Sequence, residues 1–393
     1  MRQRRQVLLV TSVALFFSVL VWFNYSAVLP LIVEEWGLSG TEAGIVFGAF
    51  QAGYLVAIIP AGRFADRYSP RWVIAIGAIG TGIPSLVFAA VADSFLVGTV
   101  LRFLSGLFVA GVYVPGMRFV SDWYPEDIRG RALGLYIGTY EVGAGLSFVF
   151  STIAAEAVNW RLAIAVTSIG ALFVAAPMVK LTSDSPARSA SSAGSFDLSI
   201  LQDREYLLAV SIYSWHNWEL FGVRNWLLAF FVAAPAFAVL DTTVLPGVIV
   251  GAMIIMSGVG NAAGGWLSDR IGRPQTIATG LGVSAFLSAI FGVLGEFPLL
   301  VLIGITLVYG LALALDSAPT STLVTEVVAD EHVGTALSIQ SLAGFSTTVA
   351  SPIVFGLALD RAGYTLAFPT LAVGALLGLL SVGELARKSN VDH

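Results

Sequence analysis

The sequence predicts an all-α membrane protein of twelve transmembrane helices in two pseudo-symmetric six-helix bundles. Three observations carry that expectation. Of 393 residues, 57% are hydrophobic and only 11% are charged, whereas a soluble domain carries roughly 25% charged residues. Too few charges remain to cover a water-exposed surface, so much of the solvent must be lipid. The apolar residues also fall into runs of about 20, the length that crosses a hydrocarbon core of about 30 Å. Finally, one charged turn occurs twice. Residues 62–71 read GRFADRYSPR and residues 265–274 read GWLSDRIGRP, so that Asp66 and Asp269 stand 203 positions apart.

Broken at its polar and Gly/Pro turns, the first half gives spans at 7–33, 41–62, 71–92, 95–120, 130–154 and 160–180. The first follows a basic start, Met-Arg-Gln-Arg-Arg-Gln. A signal peptide starts in the same way, but its apolar region runs only about 7–15 residues. Here the run is far longer and lacks a small-residue cleavage site, so it is expected to persist as a helix carrying Asn24 and Tyr25. The second span holds Gln51 and Tyr54 and ends in Gly62, Asp66 and Arg67, with Arg71 opening the third. The fourth holds Arg102 and Tyr113 and closes near Arg118 and Asp122. Arg129 precedes the fifth, which contains Tyr136, Tyr140 and Glu141, and the sixth completes a unit over 1–180.

Residues 181–204, LTSDSPARSASSAGSFDLSILQDR, are rich in Ser, Ala and charge. They read as a flexible cytoplasmic linker with a short amphipathic piece around Phe196 to Leu201. The second unit, 205–393, gives spans at 205–232, 244–266, 274–295, 298–320, 333–357 and 364–386. Its first span is the most polar of all, SIYSWHNWELFGVRNWLLAF, with His216, Glu219 and Arg224. His216 lies three residues before Glu219, so the two share a helix face. The next span ends in the second charged turn, Gly265, Asp269, Arg270 and Arg273, and later spans add Asp316 and Gln340.

Sixteen of the 20 basic residues fall on one side of this arrangement; Arg161 and Arg361 fall on the other, and Arg102 and Arg224 inside spans. The excess of Lys and Arg on cytoplasmic loops then places both termini in the cytoplasm of a multi-pass cell-membrane protein. Both charged turns lie on that side. A second echo supports the duplication: EDIRGRALG at 126–134 matches DEHVGTALS at 330–338, and Pro115 matches Pro319, each at a shift of 204. Several features in one register indicate two homologous halves.

The pattern Gly-x3-Asp-Arg-x-Gly-Arg resembles the signature of the major facilitator superfamily for the loop between helices 2 and 3. The first copy has Gly62, Asp66, Arg67 and Arg71 with Ser69 in place of the second glycine, and the second has Gly265, Asp269, Arg270, Gly272 and Arg273. The stretch LRFLSGLFVAGVYVPGMRFVSDWYPEDIRGRALG is similar to the family's helix 4 and the loop after it. The resemblance covers the whole chain. It implies a secondary transporter, normally a monomer, with a central cavity lined by helices 1, 4, 7 and 10. Those helices here carry Asn24, Tyr25, Arg102, His216, Glu219, Arg224 and Asp316, and Tyr140, Glu141 and Gln340 join them as candidate cavity residues. The resemblance also implies a cytoplasmic latch, in which Asp66 meets the start of helix 11 near Val333 and Gly334. Arg67, Arg71, Arg118, Asp122 and Arg129 support it. Gly62 and Gly265, having no Cβ, are expected to let helices approach closely at this rim.

Two readings stand for Glu219: a carboxyl that carries a coupling proton, or the partner of Arg102 or Arg224 in a structural ion pair. His216 suits a proton relay or simple packing, and Arg224 suits an anion, which a guanidinium grips bidentately. Asp316 sits toward the cytoplasmic end and reads as part of the gate. The stretch GVYVPGMRFVSDWYPEDIRG is similar to organic-anion members of the superfamily. Those that carry phosphorylated compounds tend to have an arginine on both helix 1 and helix 7, whereas here helix 7 has Arg224 and helix 1 has Asn24. The helix-5 signature of drug:proton antiporters is half present, as Gly134, Gly138, Gly143 and Gly145 without the proline. The expected function is proton-coupled symport of a small carboxylate-like anion. A proton-driven exporter of drugs or metabolites and a non-transporting sensor are the alternatives. With no cysteine, three histidines and no HExxH, GxSxG or phosphate-binding loop, no enzyme activity, metal, cofactor or nucleic-acid partner is expected.

Overall fold

A computed structural model of the chain describes residues 2–185, 198–238, 240, 242–329 and 332–389, and among them there is no β-strand. The first six crossing helices are α1 (Arg2–Trp36), α2 (Gly40–Arg67), α3 (Pro70–Val91), α4 (Phe95–Trp123), α5 (Glu126–Ala157) and α6 (Trp160–Leu181). The second six are α7 (Arg204–Ala233), α8 (Val244–Ile271), α9 (Arg273–Phe291), α10 (Leu299–Glu326), α11 (333–361) and α12 (364–389). The last two are continuous except at Ala362 and Gly363, where Gly363 takes φ +69°, a left-handed value that favours glycine. Ten segments are apolar enough to span a bilayer by composition, and one of them holds both α11 and α12. The remaining crossing helix is α7, 30 residues long but interrupted by His216, Glu219 and Arg224. Large apolar side chains such as Phe173, Phe286, Leu300 and Leu380 point outward. Helices expose such faces because all their backbone groups are paired internally and lipid covers the rest.

Two compact units form. One comprises Met1–Leu38, Ile45–Gly194 and Thr242–Gly251; the other comprises Ser39–Gly44, Ser195–Asp241 and Ala252–His393. Within the first, α1 packs on α3, α5 and α6; within the second, α7 packs on α11 and α12, and α9 on α10. Half of the linker expected over 181–204, residues 186–197, lies outside the described residues. Its end forms a 3-10 turn, Leu198–Gln202, whose Ile200 packs with Tyr206 and Ala209 of α7.

The duplication is visible in backbone contacts. A Cβ on Gly106 of α4 would lie 1.9 Å from the Phe50 carbonyl oxygen of α2, and one on Gly310 of α10 would lie 2.3 Å from the Met253 carbonyl oxygen of α8. These pairs are related by shifts of 203 and 204. The helix in each pair also breaks at equivalent points: α4 at 110–112 and α10 at 314–316, again 204 apart.

The expected close approach at Gly62 and Gly265 is not what the structure shows. A Cβ on Gly62 would meet nothing within 4 Å, and one on Gly265 would make only an ordinary contact, 3.7 Å from Ala318 Cβ. Close packing needs glycine deeper in the helices, at Gly53, Gly106, Gly260, Gly264 and Gly310, where a carbonyl of the neighbouring helix occupies the place of the side chain.

Candidate functional site

Each unit holds a buried polar cluster, and the two differ in chemistry. In the first unit Arg102 of α4 is 2% exposed. Its Nη1 donates to the Val21 carbonyl at 2.9 Å and to Asn24 Oδ1 at 3.3 Å, and its Nη2 donates to the Trp22 carbonyl at 2.9 Å. The guanidinium also lies 4.3 Å above the Phe50 ring and 5.5 Å from the Tyr25 ring. Asn24 Nδ2 donates to Thr167 Oγ1 at 3.1 Å and Ser168 Oγ at 3.2 Å on α6, with Ser85 of α3 completing the group. Helix carbonyls accept a second bond through their free lone pair, so Arg102 staples α4 to α1 through backbone that cannot move away. Tyr140 of α5 is 5.7 Å from the Trp22 ring and 5.5 Å from Tyr113. Glu141, next to it, is half-buried.

The second unit holds the titratable side chains. Glu219 of α7 is 1% exposed and accepts from Ser284 Oγ at 2.8 Å and Ser288 Oγ at 2.6 Å, both on α9. Ser288 Oγ in turn bonds the hydroxyl of Tyr309 on α10. His216, one turn earlier on α7, places Nδ1 2.9 Å from Asp316 Oδ1, both groups buried. Asp316 is the last residue of the break in α10 and sits at the entry to its second segment. Asp316, read from the sequence both as a cavity residue and as part of the gate, is buried and paired with α7. Arg224 is 1% exposed and lies further along α7; Gln340 of α11 is 3% exposed. The first turns of α7 hold to α11 through Tyr206, whose hydroxyl donates to the Ala336 carbonyl at 2.9 Å. Further along, Trp226 Nε1 donates to the Pro352 carbonyl at 3.0 Å. No group of three or more metal-ligating side chains forms among the described residues.

Ser284, Ser288, Tyr309, Ser85, Thr167 and Ser168 were not among the sequence candidates. Their signal is weak, since hydroxyls in apolar helices commonly bond the carbonyl four residues back, as Thr167 does to Ala163.

The charged turns prove to be helix ends. Asp66 and Arg67 occupy the last turn of α2, and Asp269 and Arg270 that of α8. Arg118 Nη1 lies 3.0 Å from Asp66 Oδ1 and its Nε 3.4 Å from Asp122 Oδ1, all half-exposed or less. Arg71 Nη1 donates to the Thr182 carbonyl at 2.9 Å, Arg129 Nε to the Tyr124 carbonyl at 3.2 Å, and Arg67 lies 5.7 Å from the Tyr68 ring. In the second copy Arg273 pairs with Glu326, the residue 204 positions after Asp122, and Arg270 stacks 3.7 Å over Trp266. Gly272 takes φ +93°, whereas Ser69 at the matching position takes φ −70°. The first copy thus needs no glycine, which accounts for its departure from the signature.

The profile of the Major Facilitator Superfamily matches residues 11–247 and 242–390. The chain belongs to this superfamily. A probable sulfoacetate transporter, SauU, of Cupriavidus necator is 26% identical over 98% of this chain and 93% of its own length. The nitrate/nitrite transporter NrtP of a Picosynechococcus species is 33% identical over 37% of this chain and 27% of its own length. Among solved structures, a bacterial homologue of the human lysosomal transporter Spinster superposes with a TM-score of 0.82 at 15% identity, over 99% of this chain and 97% of that one. The superfamily member described here is thus a multi-pass membrane protein with the twelve-helix fold, and its relatives are transporters.

Proposed function

We propose that this protein carries a small carboxylate-like anion across the cell membrane by alternating access, in symport with protons, with both termini cytoplasmic. The observation that supports the reading is the burial of His216, Glu219, Arg224 and Asp316 inside one unit of a membrane protein. An ionisable group at mid-membrane costs about 2.5–3.5 kcal/mol on insertion scales, so such groups mark pathways for ions and protons. Glu219 is suited to two protonation states. Charged, it accepts from Ser284 and Ser288; neutral, it donates to a hydroxyl that has turned, because a serine hydroxyl both donates and accepts. Arg224, a guanidinium, suits an anionic solute. Sulfoacetate and nitrate, named for two relatives, are anions. In the last turn of α2, the half-exposed Asp66–Arg118 pair is of a kind worth about 0–1 kcal/mol, weak enough to part in each cycle.

The test is uptake of labelled sulfoacetate, nitrate and small carboxylates into proteoliposomes under imposed pH gradients. Acid outside is expected to accelerate uptake, and Glu219→Gln is expected to abolish the response to the gradient while leaving solute exchange intact. Uptake indifferent to either gradient would refute proton coupling, and stimulation by the reverse gradient would make the protein an exporter.

A further inference from the structure

The outer face of the first unit carries two apolar grooves, one on each side of the start of α3. The first has a volume of about 640 Å³ and runs between Pro60 and Phe64 of α2 and Trp72 and Ile76 of α3. Its floor is α4, because both flanking helices press against that helix through glycine. A Cβ on Gly53 of α2 would lie 2.2 Å from the Phe103 carbonyl oxygen, and one on Gly77 of α3 would lie 3.0 Å from that of Phe108. The second groove has a volume of about 310 Å³ and lies between α3 and α6, lined by Ile79 on one side and by Ala176 and Val179 on the other. Trp72 and Ile76 line both grooves, so they form a ridge with a channel on either side. The ridge stands open, Trp72 being 49% and Ile76 59% exposed.

Positive charge collects at one end of this pair of grooves. Lys180, in the last turn of α6, lines the second groove. Arg67 lies 5.7 Å from the ring of Tyr68, which lines the first. Arg71 precedes Trp72 on the ridge and donates to the Thr182 carbonyl just beyond α6, which ties the end of α6 to the start of α3. Neither Arg67 nor Lys180 has a hydrogen bond or an ion pair among the described residues. The neighbouring acids are engaged elsewhere: Asp66 lies 3.0 Å from Arg118, and Asp184 accepts from Ser69 Oγ at 2.7 Å.

We infer that this face holds one anionic phospholipid, its two acyl chains in the two grooves and its headgroup over Trp72 among Arg67, Arg71 and Lys180. Each part of the face matches a part of that molecule. Two channels that share one charged end suit two tails and one head. Apolar side chains wall both channels along most of their length, as contact with hydrocarbon requires. A half-exposed tryptophan at the border between apolar and charged side chains sits as the aromatic belt does, at headgroup level. Basic side chains beside a membrane helix attract anionic headgroups, each Lys or Arg favouring them by about fivefold. A zwitterionic headgroup brings its own ammonium, so these cations select for net negative charge.

Native mass spectrometry of the purified protein, titrated with one lipid at a time, reads the affinity of the first lipid bound. Dioleoylphosphatidylglycerol is expected to bind about tenfold or more tighter than dioleoylphosphatidylcholine. Lys180→Gln and Arg67→Gln should each weaken phosphatidylglycerol about fivefold and leave phosphatidylcholine unchanged. Arg204→Gln, which removes an exposed cation at the start of α7, should change neither. Ala176→Trp fills the second groove and alters no charge, so it keeps the test valid if Arg67→Gln fails to fold. It should weaken the two-chain lipid about fifteenfold, for two methylene groups denied burial at about fourfold each. Lysophosphatidylglycerol, with one chain and the first groove still free, should bind as before. Equal affinity for the two headgroups, no loss in either charge variant, or an equal loss in Arg204→Gln would overturn the inference. So would one-chain and two-chain lipids weakened alike by Ala176→Trp. A dimer that Ala176→Trp disperses and phosphatidylglycerol does not would assign the face to a second copy and overturn it too. Solute flux enters none of these readouts, so they stand apart from the transport reading.

Discussion

Replacing Gly106 by alanine tests whether the shared framework of the two halves is a backbone contact. The new Cβ would sit 1.9 Å from the Phe50 carbonyl oxygen, where ordinary contact begins at 3.4 Å. The obstacle is main chain, not the tip of a flexible side chain, so α2 and α4 must separate by about 1 Å or more. A gap of 0.5–1 Å already forfeits about a quarter to a half of each dispersion contact along the seam, and overpacking of this kind costs about 1–3 kcal/mol. For a loss of about 2 kcal/mol in a unit of 150–250 residues, the melting temperature should fall by roughly 4–8 °C. Gly62→Ala provides the contrast. That position is on the same helix pair's side of the first unit but faces open space, so alanine should gain about 0.5–1 kcal/mol from reduced chain entropy in the unfolded state. Thermal unfolding of purified protein, followed by the fluorescence of its nine tryptophans, measures both. If Gly106→Ala melts at or above Gly62→Ala, the glycine–carbonyl seam does not hold α2 to α4.

Other consequences follow from the same geometry. Gly272→Ala should cost about 1–3 kcal/mol, because φ +93° lies where side chains are strained, whereas Ser69→Gly should change the melting temperature little. Arg102→Met should cost about 1–3 kcal/mol by leaving Asn24 Oδ1 without its guanidinium donor, and Arg102→Lys should recover only part, since an ammonium lacks the planar fork that reaches three acceptors on one turn of α1. Asp66→Asn should shift stability by less than about 1 kcal/mol, as a half-exposed ion pair does, while changing the transport rate measured in proteoliposomes. An unchanged rate would remove this pair from the gate.

The crossings could be read from the sequence because bilayer thickness fixes their length, and the duplication because its two charged turns are rare in so apolar a chain. Even the polar α7 was readable, since it lies between unmistakable neighbours. The helix breaks at 110–112 and 314–316 do have a trace, in the matched prolines Pro115 and Pro319: each ring displaces the carbonyl four residues earlier, at 111 and 315, inside the break. Glu219 stood out as a lone carboxylate in an apolar run, but its partners on α9 are serines, which are ordinary in such helices. Gly62 misled because a glycine in a signature motif suggests close packing, and only the neighbouring coordinates show that its side is open.

The repeat also shows which positions the two halves share and which they do not. Positions that build the frame have kept their character at the shift of 203–204: Gly106 and Gly310, Asp122 and Glu326, Glu156 and Asp360, Ser85 and Ser288. The interior between them has not. Arg102 corresponds to Thr306, Val112 to Asp316, and Ser105 to Tyr309. In the first unit the buried charge is a guanidinium bonded to helix carbonyls. In the second the buried groups are a carboxylate among hydroxyls, a histidine–aspartate pair and the Arg224 guanidinium. Only the second unit thus buries carboxyl and imidazole groups, the kinds that the proposed proton symport requires. If transport is coupled to protons as proposed, substitutions abolishing the response to a pH gradient should cluster on α7, α9 and α10. Those at Asn24 or Arg102 should lower stability or solute exchange without altering how the rate depends on proton concentration.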